Sequence, residues 1–166
     1  SIFCNDRSTP GKSATGWSSD TGLGYGSNIT AYGATARVGG PWQTTVTQPR
    51  FTCPQENDKF TVSAESGGNG KSTYPVGLIT ADEIVAAGSG KYITENSSYY
   101  LKKGSWYWSF SPYNFNGSFA GVFNESGYLD YTNVNNSGAV APVINLKAEY
   151  LSQLRGAGTA TDPFRP

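Results

Sequence analysis

The chain has 166 residues, 12 basic and 12 acidic, with no histidine, and 14% each of aromatic and charged residues. That length fits one domain able to bury a core, and a balanced charge with no block of either sign favours neither nucleic acid nor an anionic membrane as partner. The lack of histidine removes Ser-His-Asp and Cys-His arrangements, histidine-ligated metals and the commonest general base near neutral pH.

High glycine and 11 tyrosines fit extracellular β-rich proteins and binding surfaces better than cytosolic enzymes. No run of about 18 apolar residues offers a membrane span. The chain opens at Ser1 rather than Met, which reads as a processed or trimmed piece of something longer. Cys4 and Cys53 are the only cysteines. An even pair in such a composition points to one disulfide and an oxidising compartment, the alternative being two reduced core cysteines. Neither has the CxxC spacing of a redox or zinc site.

Residues 1–50 carry loop chemistry, "STPGKSATGWSSDTGLGYGSN", with Trp17 and Tyr25 as packing anchors. "RFTCPQENDKFTVS" holds two short β-like runs around a turn, and "SGGNGKSTY" is a loop. "GGNGK" at 67–71 lacks the helix context of a phosphate loop and reads as a turn. "YPVGLI" is a short apolar run, after which "TADE" has the pattern of a capping box. Thr80 can accept the Glu83 N–H while the Glu83 carboxylate accepts the Thr80 N–H. Asp82 and Glu83 also suit the positive end of the helix dipole, so they read as cap residues. Ile84 and Ala87 share one face and Gly88 ends a helix too short to stand alone.

From residue 92 the segments "KYITENSSYYL", "GSWYWSFSP", "SFAGVFN", "YLDYTNV" and "AVAPVINL" read as strands separated by Gly and Asn turns, an antiparallel meander. Alternation puts Trp106, Trp108 and Phe110 on one face and Tyr107 and Ser109 on the other, with the Trp face expected inward. The tail, "YLSQLRGAGTATDPFRP", begins with a helical turn and ends as an irregular arm. The expected organisation is a single domain, 1–166. It comprises a loop-rich, disulfide-closed half over 1–62, a core over 74–146 and an arm over 147–166.

The order of these pieces resembles the C-type lectin-like fold in the variant shared with formylglycine-generating enzymes. Leu78, Thr80, Glu83 and Ala87 match its helix start, Trp108 and Ser109 its Trp-Ser strand, and Gly138, Pro142 and Val143 its closing strand. Ala141 and Ile84 stand where that family has Arg and Trp. The fold class implied is α+β, with short helices packed on twisted antiparallel sheets, β-rich with long loops. A second resemblance spans nearly the whole chain, through Phe3–Ser8, Cys53–Val62, Tyr74–Glu83, Trp106–Pro112, Pro142–Lys147 and Gly158–Phe164. Those stretches are similar to surface-associated proteins of gut Firmicutes, often attached to pilin-like N-termini, and imply a bacterial cell-surface location. Enzymes sharing the fold depend on late cysteines or histidine iron ligands, and this chain has neither after Cys53.

Glu125 and Asp130 are the carboxylates a glycoside hydrolase would need. Asn124, Glu125, Asp130 and Asn133 are hard oxygen donors from which a calcium site could be built, although the EF-hand spacing and the lectin-type motifs are missing. No other cofactor is expected. A pilin-like isopeptide would involve Lys147 or Asn145.

The region 106–136 concentrates Tyr, Asn, Ser, Gly, Phe and Trp, the chemistry of binding surfaces. It resembles the display region of C-type lectin-like proteins varied by diversity-generating retroelements. The expected function is therefore an extracellular, non-catalytic ligand-binding domain, an adhesin or variable display domain. It would recognise a protein or glycan on another cell through Tyr107, Tyr113, Asn114, Phe115, Asn116, Tyr128 and Tyr131. The alternatives are a structural subunit or stalk domain of a pilus or surface assembly, whose aromatics make subunit contacts, and a carboxylate-dependent hydrolase.

Overall fold

The computed structural model describes residues 3–4, 38, 48–53, 56–61, 69–89, 95–113, 119–123, 126–159 and 161–165. In chain order the elements are β1 (Phe3–Cys4), a 3-10 turn (Glu56–Asp58), β2 (Lys59–Phe60), β3 (Val76–Leu78), α1 (Ala81–Ala86), β4 (Tyr107–Pro112), β5 (Phe119–Phe123), β6 (Leu129–Asn133), β7 (Pro142–Ile144) and α2 (Ala148–Leu151). Short helices beside small antiparallel sheets make this an α+β arrangement.

Helix α1 is specified at both ends by local chemistry. The Thr80 hydroxyl accepts the Glu83 N–H at 3.2 Å, and the Glu83 carboxylate accepts the Thr80 N–H at 2.8 Å, completing the capping box. At the far end Gly88 has φ +98°, its N–H donates to the Val85 carbonyl at 3.0 Å, and the Ser89 N–H donates to the Ile84 carbonyl at 3.2 Å. That pair of bonds is a Schellman motif, whose left-handed residue glycine adopts without strain. Six residues cannot hold a helix in water, so α1 depends on burying Ala81 and Ile84. These join Val38, Ile79, Tyr99, Tyr107 and Leu129 in the core, with Val143 and Ala141 packed against them.

Strands β4, β5 and β6 form the expected meander, in the order β4-β5-β6. β7 does not extend it. This strand crosses back to β3, with Val76 opposite Ile144 and Leu78 opposite Pro142. Hydrophobic pattern locates a strand but does not name its partner when the partner lies far back in the chain. The outer side of β4 joins the two sheets. Its Trp108 N–H donates to the Ala139 carbonyl at 3.0 Å and its Phe110 N–H to the Ile79 carbonyl at 2.8 Å.

The inward face of β4 is the reverse of the one expected. Tyr107, Ser109 and Ser111 are buried, whereas Trp108 and Phe110 are half-buried. The small hydroxyls fit because they find partners beneath α1. Ser111 Oγ accepts the Ala81 N–H at 2.9 Å, and the Ser109 hydroxyl donates to the Ser111 carbonyl at 3.2 Å. The other face is covered by rings, Trp108 against Trp106 and Phe110 between Phe3 and Phe60.

Cys4 and Cys53 form the disulfide, closing a span of 49 residues. The strand carrying Cys4, β1, pairs with β2 through Phe3 opposite Phe60 and Cys4 opposite Lys59. The strand expected over "KYITENSSYYL", 91–101, is absent within 95–101, which are turns and irregular backbone. Asn96 decides this: its side-chain oxygen accepts the Ser98 N–H and its carbonyl accepts the Tyr99 N–H, local bonds that compete with a ladder. Near "GGNGK", the Asn69 N–H donates to the Lys59 carbonyl, the Gly70 carbonyl accepts the Thr61 N–H and Thr61 bridges Lys71 in parallel, so residues 69–71 pair with the end of β2. In the tail, Arg155 and Arg165 exchange backbone hydrogen bonds at 2.8 and 2.9 Å across a small hairpin, with the Asp162 carboxylate taking the Ala157 N–H inside it. Trp17 and Tyr25 lie outside the described residues.

Candidate functional site

The structure divides the expected binding residues. Tyr107 is a core residue, 2% exposed, whose hydroxyl donates to the Leu101 carbonyl at 3.3 Å. It is therefore no surface contact. Tyr113 is also buried, its ring stacked on Tyr131 with centroids 4.6 Å apart and planes 16° apart. The reason is register. Tyr131 shares its face of β6 with fully buried Leu129, so the Tyr113–Tyr131 pair lies over the end of the core instead of projecting from it. Tyr131 and Tyr128 are half-buried and keep partial access to solvent. Asn114, Phe115 and Asn116 lie outside the described residues, as do Asn124 and Glu125.

Of the calcium candidates, Asp130 and Asn133 are three apart on β6 and so project to opposite faces, which does not bring them together on one ion. The Asp130 carboxylate accepts the N–H of its own neighbour Tyr131 at 2.8 Å. Among the described residues no three of His, Cys, Asp and Glu are grouped to hold a metal. Lys147 is exposed with Glu149 3.7 Å away, outside any core setting for an isopeptide.

Elsewhere the fold makes a pocket of about 280 Å³ where the disulfide, α1, β4 and the segment after β7 converge. Asp82 and Ser111 form its floor and are 3% and 2% exposed. Arg50, Phe51 and Asn145 form an exposed rim, with Cys4, Cys53 and Phe3 as one wall. Asp82 was expected only to cap the helix. Its carboxylate also accepts the Arg50 N–H at 2.6 Å, which ties the 48–53 segment to α1 across 32 residues of sequence. Glu83 is held by Thr80, accepting from its hydroxyl at 2.9 Å as well as from its N–H. The two carboxylates are neighbours on one helical turn and both receive backbone N–H groups. That arrangement suits holding a polar group by hydrogen bonds better than it suits a spaced acid and base.

The pocket grouping of Arg50, Phe51, Ser111 and Asn145 is not legible in the sequence because they come from three separate places in the chain. The one available signal was Phe51 two residues before Cys53, which the disulfide carries to wherever Cys4 sits. Pocket and expected surface are connected: Ser111 lines the pocket, and Tyr113 follows two residues later, about 7 Å along the chain.

The core tyrosines are the groups whose acidity the fold changes most. Burial, with Tyr100 nearby, pushes the Tyr107 phenol up to about 12. Burial, with Tyr107 and Tyr100 adding, raises Tyr99 well above the ordinary phenol range, and its hydroxyl donates to the Ile84 carbonyl at 3.1 Å.

No family model, no curated protein and no solved structure matches the chain.

Proposed function

We propose that this chain is an extracellular, non-catalytic ligand-binding domain of a bacterial surface protein, C-type lectin-like in fold, that takes a polar group of a glycan or protein in the Phe51–Asn145 pocket. The carrying observation is that pocket: a floor of buried hydrogen-bonding groups beneath a rim with Phe51 73% exposed. An aromatic face beside a few convergent polar groups is the ordinary composition of a small ligand site, and about 280 Å³ suits one sugar ring or one amino-acid side chain. From Ser111 the contact continues past Tyr113 toward the Tyr131 ring stacked on it, and on to Tyr128. The lectin-like reading is supported by the succession of capped helix, Trp-bearing strand, hairpin and closing strand, and the surface location by the disulfide.

The test is binding of the purified domain to glycan and host-protein arrays, with and without calcium, beside Phe51→Ala and Asn145→Ala. Loss in both variants at unchanged melting temperature supports the pocket. Binding retained in both moves the site off it. A second reading, a structural subunit of a surface assembly, draws on a different observation, the apolar outer face of β3 and β7.

A further inference from the structure

Strands β3 and β7 are written for burial on both faces. Along "YPVGLI" and "AVAPVI" every position except Gly77 is apolar or aromatic, the pattern of strands covered from two sides. One side is accounted for. Gly77 faces the ring of Phe3, while Ile79, Ala141 and Val143 face the core. The other side carries Val76, Leu78, Val140, Pro142 and Ile144. Val76 and Ile144 sit directly opposite each other and remain 50% and 61% exposed, with Val140 63% exposed. Exposed Tyr74 and Leu146 flank the patch in sequence. By contrast β6, "LDYTN", places polar residues among its apolar ones, as a strand with one wet face does.

We propose that this face binds a second copy of the chain, forming a two-fold dimer by sheet-to-sheet packing. It sharpens the subunit reading by naming the occupant, and it is independent of the ligand pocket. The exposed apolar side chains amount to roughly 600 Å² per copy, at the upper end for a patch on a monomer. Doubled, that reaches the roughly 1,200 Å² at which specific interfaces begin. Among the described residues this face carries no charged side chain, so meeting its own copy sets no like charges against each other, and a self-complementary patch closes with one symmetry axis. At the low end of interface size the dimer belongs with weak, transient contacts, for which a dissociation constant on the order of 1–100 μM is the working range.

Sedimentation velocity from roughly 1 to 200 μM, bracketing that range, decides it, using the parent chain, Ile144→Glu, Val140→Glu and the off-face control Val134→Glu. Each altered side chain is exposed in the single chain, and near-ultraviolet circular dichroism confirms the fold of each variant. A concentration-dependent dimer in the parent and control is expected, weakened at least roughly 100-fold in Ile144→Glu and Val140→Glu by a buried unpaired carboxylate. A parent that stays monomeric throughout overturns the dimer while leaving array binding by the pocket standing. A dimer that survives both on-face variants, or dissociates equally in the control, places the contact elsewhere and also overturns it.

Discussion

Opening the Cys4–Cys53 disulfide should cost the fold about 4 kcal/mol, the chain-entropy value for the 49-residue span it closes. For a chain of this length that corresponds to a fall in Tm of about 12 °C. The loss should be uneven. β1 pairs with β2 through only two residues, and the Phe3 ring that β1 carries packs over Gly77, 2.8 Å from where a β-carbon would stand, and beside Phe110. Freeing Cys4 therefore loosens the pocket wall first, while the Ile84, Tyr107 and Leu129 cluster keeps its own contacts. The assay is urea unfolding of the Cys4→Ser/Cys53→Ser variant beside the parent. Hydrogen exchange should resolve early opening at residues 3–4 and 76–78 from late opening in β4 and β6. A loss under about 1 kcal/mol, or uniform opening, would mean that the disulfide neither constrains the unfolded chain nor holds the Phe3 wall.

Thr80→Ala removes the acceptor of the capping box and leaves the Glu83 N–H unmet, so a loss of about 1–2 kcal/mol in urea unfolding is expected. Gly127→Ala should lose more, about 2–4 kcal/mol, because Gly127 has φ +90° and a β-carbon there runs into the Asn96 carbonyl. Alkaline stability should follow Tyr99 and Tyr107. Both phenols are raised above their unfolded value of 10.0, so their contribution is complete below pH 10 and is lost as pH climbs through the folded values, for Tyr107 about 12. Stability should fall by about 1.4 kcal/mol per pH unit for each of the two above pH 10. Absorbance at 295 nm should show at least two phenols ionising only with unfolding, and ionisation of every tyrosine near pH 10 in the folded protein would contradict the burial.

What the sequence made legible was local. The Thr80–Glu83 box, the Gly88 stop and strands β3 to β7 were readable because their determinants lie within a few residues of each other. Even the inward face of β4 was misassigned, since hydropathy ranks Trp108 above Ser109 and knows nothing of the Ala81 N–H waiting for Ser111. The return of β7 to β3 and the tie between Arg50 and Asp82 were invisible for a related reason. Each joins residues more than thirty positions apart, and no local pattern encodes the partner. The disulfide was the exception, a long-range contact that two cysteines alone suggested. Tyr107 and Tyr113 were assigned to a surface on composition, although tyrosine serves equally as a large core residue once its hydroxyl finds a carbonyl.

Ligand is proposed to enter the pocket rimmed by Phe51 and Asn145. The most direct test is an amide chemical-shift map of the isotope-labelled domain titrated with whichever glycan or peptide the arrays select. Perturbations are expected to concentrate at residues 50–53, 80–83, 111 and 145 and to be abolished by Phe51→Ala. Perturbations centred on other residues, with Phe51→Ala binding as tightly as the parent, would contradict binding in the pocket.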